Sequence, residues 1–358
     1  MAEKVIRIAA IPGEGVGHDV IPVAAEVIRE AARACGVEVI TTFFNYGAAR
    51  YLEEGAALPD DVPGLVRDLA ARHDAILFGG AGLDPRVPKE VNSRPLLWAL
   101  RRGLDLYVNL RPAPLLDRRF CPLRADVPID LVVMRENTEG KITSRGSVFK
   151  EDTTDEVTIY EEINTFKGVE RICRFAFGYA RAHGYPKVTM ADKSGGVGIW
   201  HRVFWEVAEK YPDVKGEHKF IDTLSMELIQ HPDRFAVIVT NNMFGDILSD
   251  LCAGLVGGVG VAASGCIHPG RVCMFEPVHG TAPDICFQDK ANPFAAVLTG
   301  RILLDTLGHG GAADLVWQAV RSAVREGKLT ADLGGKLGTR AVGEYLREAV
   351  ARNAGKGS

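Results

Sequence analysis

The chain has 358 residues, 47% hydrophobic and 25% charged, a globular balance that excludes a disordered or low-complexity protein and predicts about two domains. A net charge of −4 gives no basic face for nucleic acid or an anionic membrane. Seven cysteines without C-x-x-C spacing read as reduced cytoplasmic thiols, no run is long and apolar enough to span a bilayer, and no signal-peptide region opens the chain.

Residues 5–11 are expected as a strand, then the loop Gly13-Glu14-Gly15-Val16-Gly17, then a helix capped by Asp19 and running to about Cys35 before Gly36. Strand, glycine loop and helix in series suit a phosphate cradle or simply a tight turn. The spacing G-x-G-x-G misses the dinucleotide fingerprint. A strand over 37–44, a helix over 60–73 and a strand over 75–80 continue an α/β alternation with a mostly parallel sheet. A polar loop over 87–94 leads into a short helix over 96–102. Strands are expected over 107–111, closed by Pro112, and over 129–134. Arg101, Arg111 and Arg135 then all fall at element ends, where three guanidinium forks could clamp a polycarboxylate. Singly, each is more often a surface cation.

Residues 157–163 alternate like a strand outside the parallel pattern, the kind of excursion that makes a dimer arm. A helix over 168–183 precedes a strand over 187–191 and then Asp192-Lys193, so the lysine sits at a strand end where α/β sheets bind ligands. The helix over 198–210 carries Trp200, Phe204 and Trp205 as core aromatics.

A strand over 218–221 ends at Asp222, and a buried strand over 235–240 is broken by Asn241-Asn242. In the following helix over 244–255, Asp246 and Asp250 are an i, i+4 pair on one face. With Asp222 they would cage a hard cation, Mg²⁺ or Mn²⁺. The helix dipole alone also accounts for acids near a helix start. Gly257-Gly258-Val259-Gly260 marks a candidate domain boundary, and residues 274–284 read as a loop. Asn292-Pro293 opens a helix to 307, and helices over 312–325 and 338–351 close the chain.

Taken together, LRRGLDLYVNLRP (100–112), RENTEG (135–140), ADKSGG (191–196), NNMFGDILSD (241–250), FEPVHGTAPDI (275–285) and KANP (290–293) resemble the β-decarboxylating hydroxyacid dehydrogenases. That family includes isocitrate, 3-isopropylmalate and tartrate/D-malate dehydrogenases, and residues 136–163 look most like the tartrate/D-malate branch. The resemblance implies a two-domain α/β fold with a mostly parallel sheet that is not a Rossmann domain. Residues 1–106 and 257–358 would form the cofactor side, and 107–256 the substrate, metal and dimerisation domain. It implies a homodimer in which Lys193 and Asp222 act across the interface, the lysine taking the hydroxyl proton. Mg²⁺ or Mn²⁺ would lie on Asp246, Asp250 and the second copy's Asp222. Arg101, Arg111 and Arg135 would hold malate-like carboxylates, and Arg94, Leu97 and Trp98 would meet the variable group. NAD would lie along Glu276, His279, Gly280, Thr281, Ala282, Asp284 and Asn292, oxidising a small hydroxy-polycarboxylate.

Ile142 stands where the family has the tyrosine that protonates the enolate after CO₂ loss, and Gly195 where an asparagine is usual. Glu14 and His18 replace the usual Asp and Pro. The expectation is therefore an active dehydrogenase in which decarboxylation is in question. The alternatives are an ordinary D-malate or tartrate dehydrogenase and a degenerate regulatory subunit.

Overall fold

Residues 4–141, 146–193 and 198–355 are described by the computed structural model of the chain; Ile142 and Gly195 lie outside them. In chain order the strands are β1 Lys4–Gly13, β2 Val37–Phe43, β3 Ala75–Gly80, β4 Val108–Pro114, β5 Asp130–Glu136, β6 Gly146–Phe149, β7 Val157–Tyr160, β8 Lys187–Asp192, β9 Lys215–Phe220, β10 Val237–Thr240, β11 Ala263–Ile267 and β12 Cys273–Pro277. The helices are α1 Gly17–Ala34, α2 Ala48–Glu54, α3 Val62–Arg72, α4 Arg94–Gly103, α5 Phe166–Ala182, α6 Ile199–Ala208, α7 Ile221–Gln230, α8 Asn242–Val256, α9 Phe294–Thr306, α10 Gly310–Arg325 and α11 Thr339–Ala354.

The chain divides into two units. The first comprises Met1–Leu106, Leu115–Pro122 and Ala253–Ser358. Its strands lie in the order β2-β1-β3-β12-β11, parallel except for the antiparallel β11–β12 pair. Every residue of β3 is buried, as expected of a parallel strand covered on both faces. On one face Ala9, Ile11, Ile76, Phe78 and Met274 meet Val66 and Leu69 of α3 and Leu96 and Leu100 of α4. Side chains such as Phe78, fully buried, contribute roughly 1.5–3 kcal/mol each to this core. Helix α1 buries Val20, Ile21, Ala24, Val27, Ile28 and Ala31, the spacing of one helical stripe. It packs on α9 and α11 over the other side of β1 and β3.

The second unit comprises Tyr107–Pro114 and Leu123–Cys252, with strand order β4-β5-β10-β8-β9. Only the β4–β5 pair is antiparallel. Helix α5, N-capped by the Thr165 hydroxyl accepting from Gly168 N–H at 3.0 Å, lies against β5, β8 and β10. The hairpin β6–β7 leaves this sheet and exposes Val148, Phe149, Val157, Ile159 and Tyr160.

Several expectations change. Pro112 does not end its strand, because an antiparallel ladder uses the N–H groups of alternate residues and Pro112 and Pro114 share one alternation. Arg111 is therefore mid-strand, not at an element end. Asp222 does not end a strand either; it lies in the first turn of α7, after a mostly polar β9. Met274 to Pro277 belong to β12 rather than a loop, since β11 pairs with all four, β3 pairs with Met274 and Phe275, and all are buried. Asp19 does not cap α1; its carboxylate accepts from Phe287 N–H at 2.8 Å. Among the described residues, no helix is long and apolar enough to cross a membrane.

Candidate active site

In the second unit, sheet register gathers the candidate residues. Arg135 on β5 is level with Thr240 on β10, and Thr240 with Ala191 on β8. Arg135, Asn241-Asn242 and Asp192-Lys193 therefore collect at the carboxyl ends of three parallel strands, where open α/β sheets bind ligands. The Asn241 side chain caps α8 by accepting from Phe244 N–H at 2.9 Å. Gly245 lets that helix approach closely, since a Cβ there would lie 2.6 Å from the Arg135 Cβ.

Helix α8 presents two carboxylates to two buried arginines. Arg135 donates from Nη1 to Asp246 Oδ1, and from Nε and Nη2 to Asn242 Oδ1 at 3.2 and 2.8 Å. Arg111 donates to Asn109 Oδ1 and Ser249 Oγ, both at 2.6 Å. It also lies 3.4 Å from both Asp246 and Asp250. Burial raises the Asp250 carboxyl above its ordinary value, Arg111 opposes this, and Asp246 adds to it. Asn109, Asn242 and Ser249 are partners that sequence reasoning missed. The Asn241-Asn242 break was a visible signal for one; nothing marked Ser249.

These side chains fit a hard divalent cation: two neighbouring, half-exposed carboxylates one helical turn apart. Among the described residues no three His, Cys, Asp or Glu side chains converge to hold a metal. Asp222 thus does not complete the Asp246–Asp250 pair within one chain. It pairs instead with the Lys193 ammonium, which holds its carboxyl below the usual range.

In the first unit the glycine loop is a tight turn and not a phosphate cradle. Its N–H groups are already used: Glu14 N–H donates to Gly80 O at 2.9 Å, Val16 N–H to Thr281 O at 2.8 Å, and Gly15 N–H to the Asp84 carboxylate at 3.4 Å. Gly15 has φ +59°, and a Cβ there would lie 2.0 Å from Thr281 O, so only glycine admits this contact. The buried Glu14 carboxylate ties the surrounding loops by accepting from Ala48, Gly82 and Ser93 N–H groups and the Ser93 hydroxyl. Burial pushes its carboxyl up, and those hydrogen bonds oppose the rise.

The loop after β12 carries His279, Gly280, Thr281, Ala282 and Asp284. Ala282, Phe287 and Asp289 have φ of +36°, +61° and +57°. Such values are strained for non-glycine residues, and contacts must over-determine them. At Phe287 they do: its ring stacks on His18 at 5.5 Å and lies 4.5 Å from the Arg86 guanidinium, which Asp84 holds bidentately at 2.9 Å. His279 Nδ1 bonds Gly280 O at 2.9 Å, while its Nε2 is buried without a partner. That orphaned polar atom fits a polar cofactor at this loop. Burial lowers the His279 pKa below its ordinary value.

The other first-unit candidates divide. Asp284 is exposed. Asn292 is engaged structurally, accepting from Phe294 N–H at 3.0 Å and donating to Asp332 at 2.9 Å. Arg101 and Glu276, expected to serve substrate and cofactor separately, pair with each other at 2.5 Å in a buried bridge. Arg101 keeps one further buried nitrogen, Nε, without a partner. Arg94 is exposed, Leu97 packs on the core, and the half-buried Trp98 ring lies 5.4 Å from the Arg101 guanidinium.

Residues 7–346 match the family model described as isocitrate/isopropylmalate dehydrogenase. The chain is 39% identical over 359 residues to a 3-isopropylmalate dehydrogenase of Thermobifida fusca (strain YX), covering 98% of this chain and 99% of the relative. It is 42% identical to a 3-isopropylmalate dehydrogenase of Bifidobacterium longum subsp. infantis, covering 90% and 94%. The crystal structure of isocitrate dehydrogenase from Methylococcus capsulatus superposes with a TM-score of 0.83 at 34% identity, covering 96% of this chain and 99% of that one. The family is NAD-dependent and works with Mg²⁺ or Mn²⁺. Sequence, fold and strand-end residues agree: this chain belongs to the isocitrate/isopropylmalate dehydrogenase family, the hydroxyacid dehydrogenases and decarboxylases.

Proposed function

We propose that this chain oxidises a malate-type 2-hydroxy polycarboxylate to its 2-keto acid, with NAD as acceptor and Mg²⁺ or Mn²⁺ at Asp246 and Asp250. The observation that carries this reading is the pair of buried arginines, Arg111 within β4 and Arg135 near the carboxyl end of β5, set beside the two half-exposed carboxylates of α8. Once bound, the cation and the nicotinamide supply Lewis-acid polarisation of the alcohol and a hydride acceptor. Arg111 and Arg135 orient the substrate carboxylates by charge-assisted hydrogen bonds. Lys193 and Asp222, ion-paired within one chain, would both come from a second copy, the lysine taking the 2-hydroxyl proton and the aspartate holding the metal. The exposed apolar hairpin β6–β7 supports a homodimer, because such a surface is normally covered. Seven free cysteines suit a reducing cytoplasm.

In the first unit His279, Gly280, Thr281, Ala282 and Asp284 hold the dinucleotide. Arg94, Leu97 and Trp98 select the variable group, and the exposed Arg94 guanidinium favours a polar or anionic one over isopropyl. Arg101 contributes its unpartnered Nε rather than a free guanidinium.

The test is NADH formation with Mn²⁺ on (R)-malate, tartrate, isocitrate and 3-isopropylmalate, with CO₂ trapped. A higher kcat/KM on 3-isopropylmalate than on every malate-type acid would refute the substrate assignment. Isoleucine at 142 cannot move a proton, and a positioned acid is worth roughly 10²–10⁴-fold. We therefore expect less than one CO₂ per NADH in the first turnovers, restored by Ile142→Tyr. A one-to-one ratio without lag, unaffected by that change, shows that the missing tyrosine does not matter.

A further inference from the structure

A groove of about 530 Å³ opens in the first unit between residues 116–119 and helix α10, and its charge is one-sided. Arg119, Arg321 and Arg325 line it against a single carboxylate, Asp117. That carboxylate is already taken, accepting from Arg119 Nε and Nη2, both at 2.9 Å. Arg119 is fixed in turn, donating to Val324 O at 3.1 Å. The Arg321 side chain makes no hydrogen bond or ion pair with any described residue. Arg325 has only Ser322 Oγ at 3.4 Å and Glu326 at 3.9 Å.

Arg321 and Arg325 are an i, i+4 pair, and two like charges so placed repel. Cations late in a helix favour its dipole, which accounts for Arg325 by itself. It does not account for a second, unpaired arginine one turn earlier, nor for Arg119 arriving from another segment. A further polar group faces the same groove: the Asn353 side-chain nitrogen is buried and has no acceptor. Beside the groove lies a second hollow of about 370 Å³, sharing Gln318 and Asn353 and walled by Ala34, Leu315 and Ala354.

We propose that this groove binds a small polyanion, its phosphate or paired carboxylates held by Arg119, Arg321 and Arg325 and its compact body lying past Asn353 over the alanine-lined hollow. With Asp117 already paired to Arg119 and Glu326 reaching only Arg325 at 3.9 Å, the three guanidinium groups keep an excess of positive charge that suits a multiply charged anion. The ligand relieves the Arg321–Arg325 repulsion and supplies the acceptor that Asn353 lacks. None of these residues belongs to the proposed catalytic or cofactor set, so the site stands or falls independently of the dehydrogenase reading.

The test is calorimetric titration of the metal-free full-length protein with pyrophosphate and, separately, with tricarballylate, to distinguish phosphate from carboxylate recognition. The same titrations are run on Arg321→Ala/Arg325→Ala, whose exposed positions leave the fold intact by circular dichroism. We expect the preferred anion to bind at least tenfold more weakly to the double variant. Its binding to the unaltered protein should protect backbone amides of residues 116–121 and 318–325 from hydrogen exchange, while NADH-forming turnover of the variant is unchanged. Equal affinity in the two proteins, or no binding of either anion to the unaltered protein, overturns the proposal.

Discussion

Asp246→Asn separates holding the metal from holding the fold. Arg135 is 3% exposed, and removing the acceptor of a buried guanidinium altogether costs roughly 3–5 kcal/mol. Asparagine keeps an oxygen for Arg135 Nη1, and Asn242 Oδ1 still accepts at 2.8 and 3.2 Å. Only a charge is lost, from a carboxylate that is 48% exposed, so the expected destabilisation is about 1–2 kcal/mol. That is a few degrees in melting temperature for a protein of this size. The cation loses more. One unit charge about 4 Å from a divalent cation at an effective dielectric constant of about 20 contributes about 8 kcal/mol, and solvent screening at a half-exposed carboxylate cuts this to about 2–4 kcal/mol. Mn²⁺ affinity should therefore fall roughly 30- to 1000-fold while the chain stays folded. The assay is a Mn²⁺ titration followed by the free-ion electron paramagnetic resonance signal, with thermal melts in chelator. Unchanged Mn²⁺ affinity removes Asp246 from the metal site. A variant that no longer folds refutes the claim that Asn242 and the amide oxygen suffice for Arg135.

Asp284→Ser should narrow the preference for NAD over NADP, because a carboxylate accepts from a ribose 2′-hydroxyl and repels a 2′-phosphate; a lower KM for NADP than NAD in the unaltered enzyme contradicts the assignment. Arg94→Ala should lower kcat/KM about tenfold or more on the preferred polycarboxylate and leave simpler hydroxy acids little changed; equal kcat/KM on the preferred substrate places Arg94 in solvent. Burial holds His279 and His18 below their ordinary value of 6.5. The unfolded chain thus binds more protons as pH falls past about 6.5, and stability should drop there. Glu14, lifted above its ordinary 4.5, acts oppositely at lower pH, where its proton favours the folded state. His279→Gln should flatten the fall in urea midpoint between about pH 7 and 5.5; an unaltered slope shows that His279 is not buried neutral.

Residue order alone was enough for the repeating α/β pattern, the helical pairing of Asp246 with Asp250 and the family. Those features are local: a β-branched run, a 3.6-residue stripe and a contiguous motif each carry their meaning within a dozen residues. The G-x-G-x-G loop was ambiguous because cradle and tight turn share one local pattern. What settled it was a partner 265 positions away, Thr281, whose carbonyl accepts from the Val16 N–H. Arg101, Arg111 and Arg135 looked alike as sequence. Tertiary structure gave Arg101 to Glu276, and gave Arg111 and Arg135 to the two acids of α8. Pro112 read as a strand end because its missing N–H matters only relative to a neighbouring strand that no local window contains. Ser249 shows the same limit: a helix serine becomes an arginine's partner only when a β-strand is laid beside it. Propensity and periodicity fix elements, because their energies lie between residues close in the chain. Which polar group satisfies which is decided by burial, and burial exists only once the distant pieces have packed.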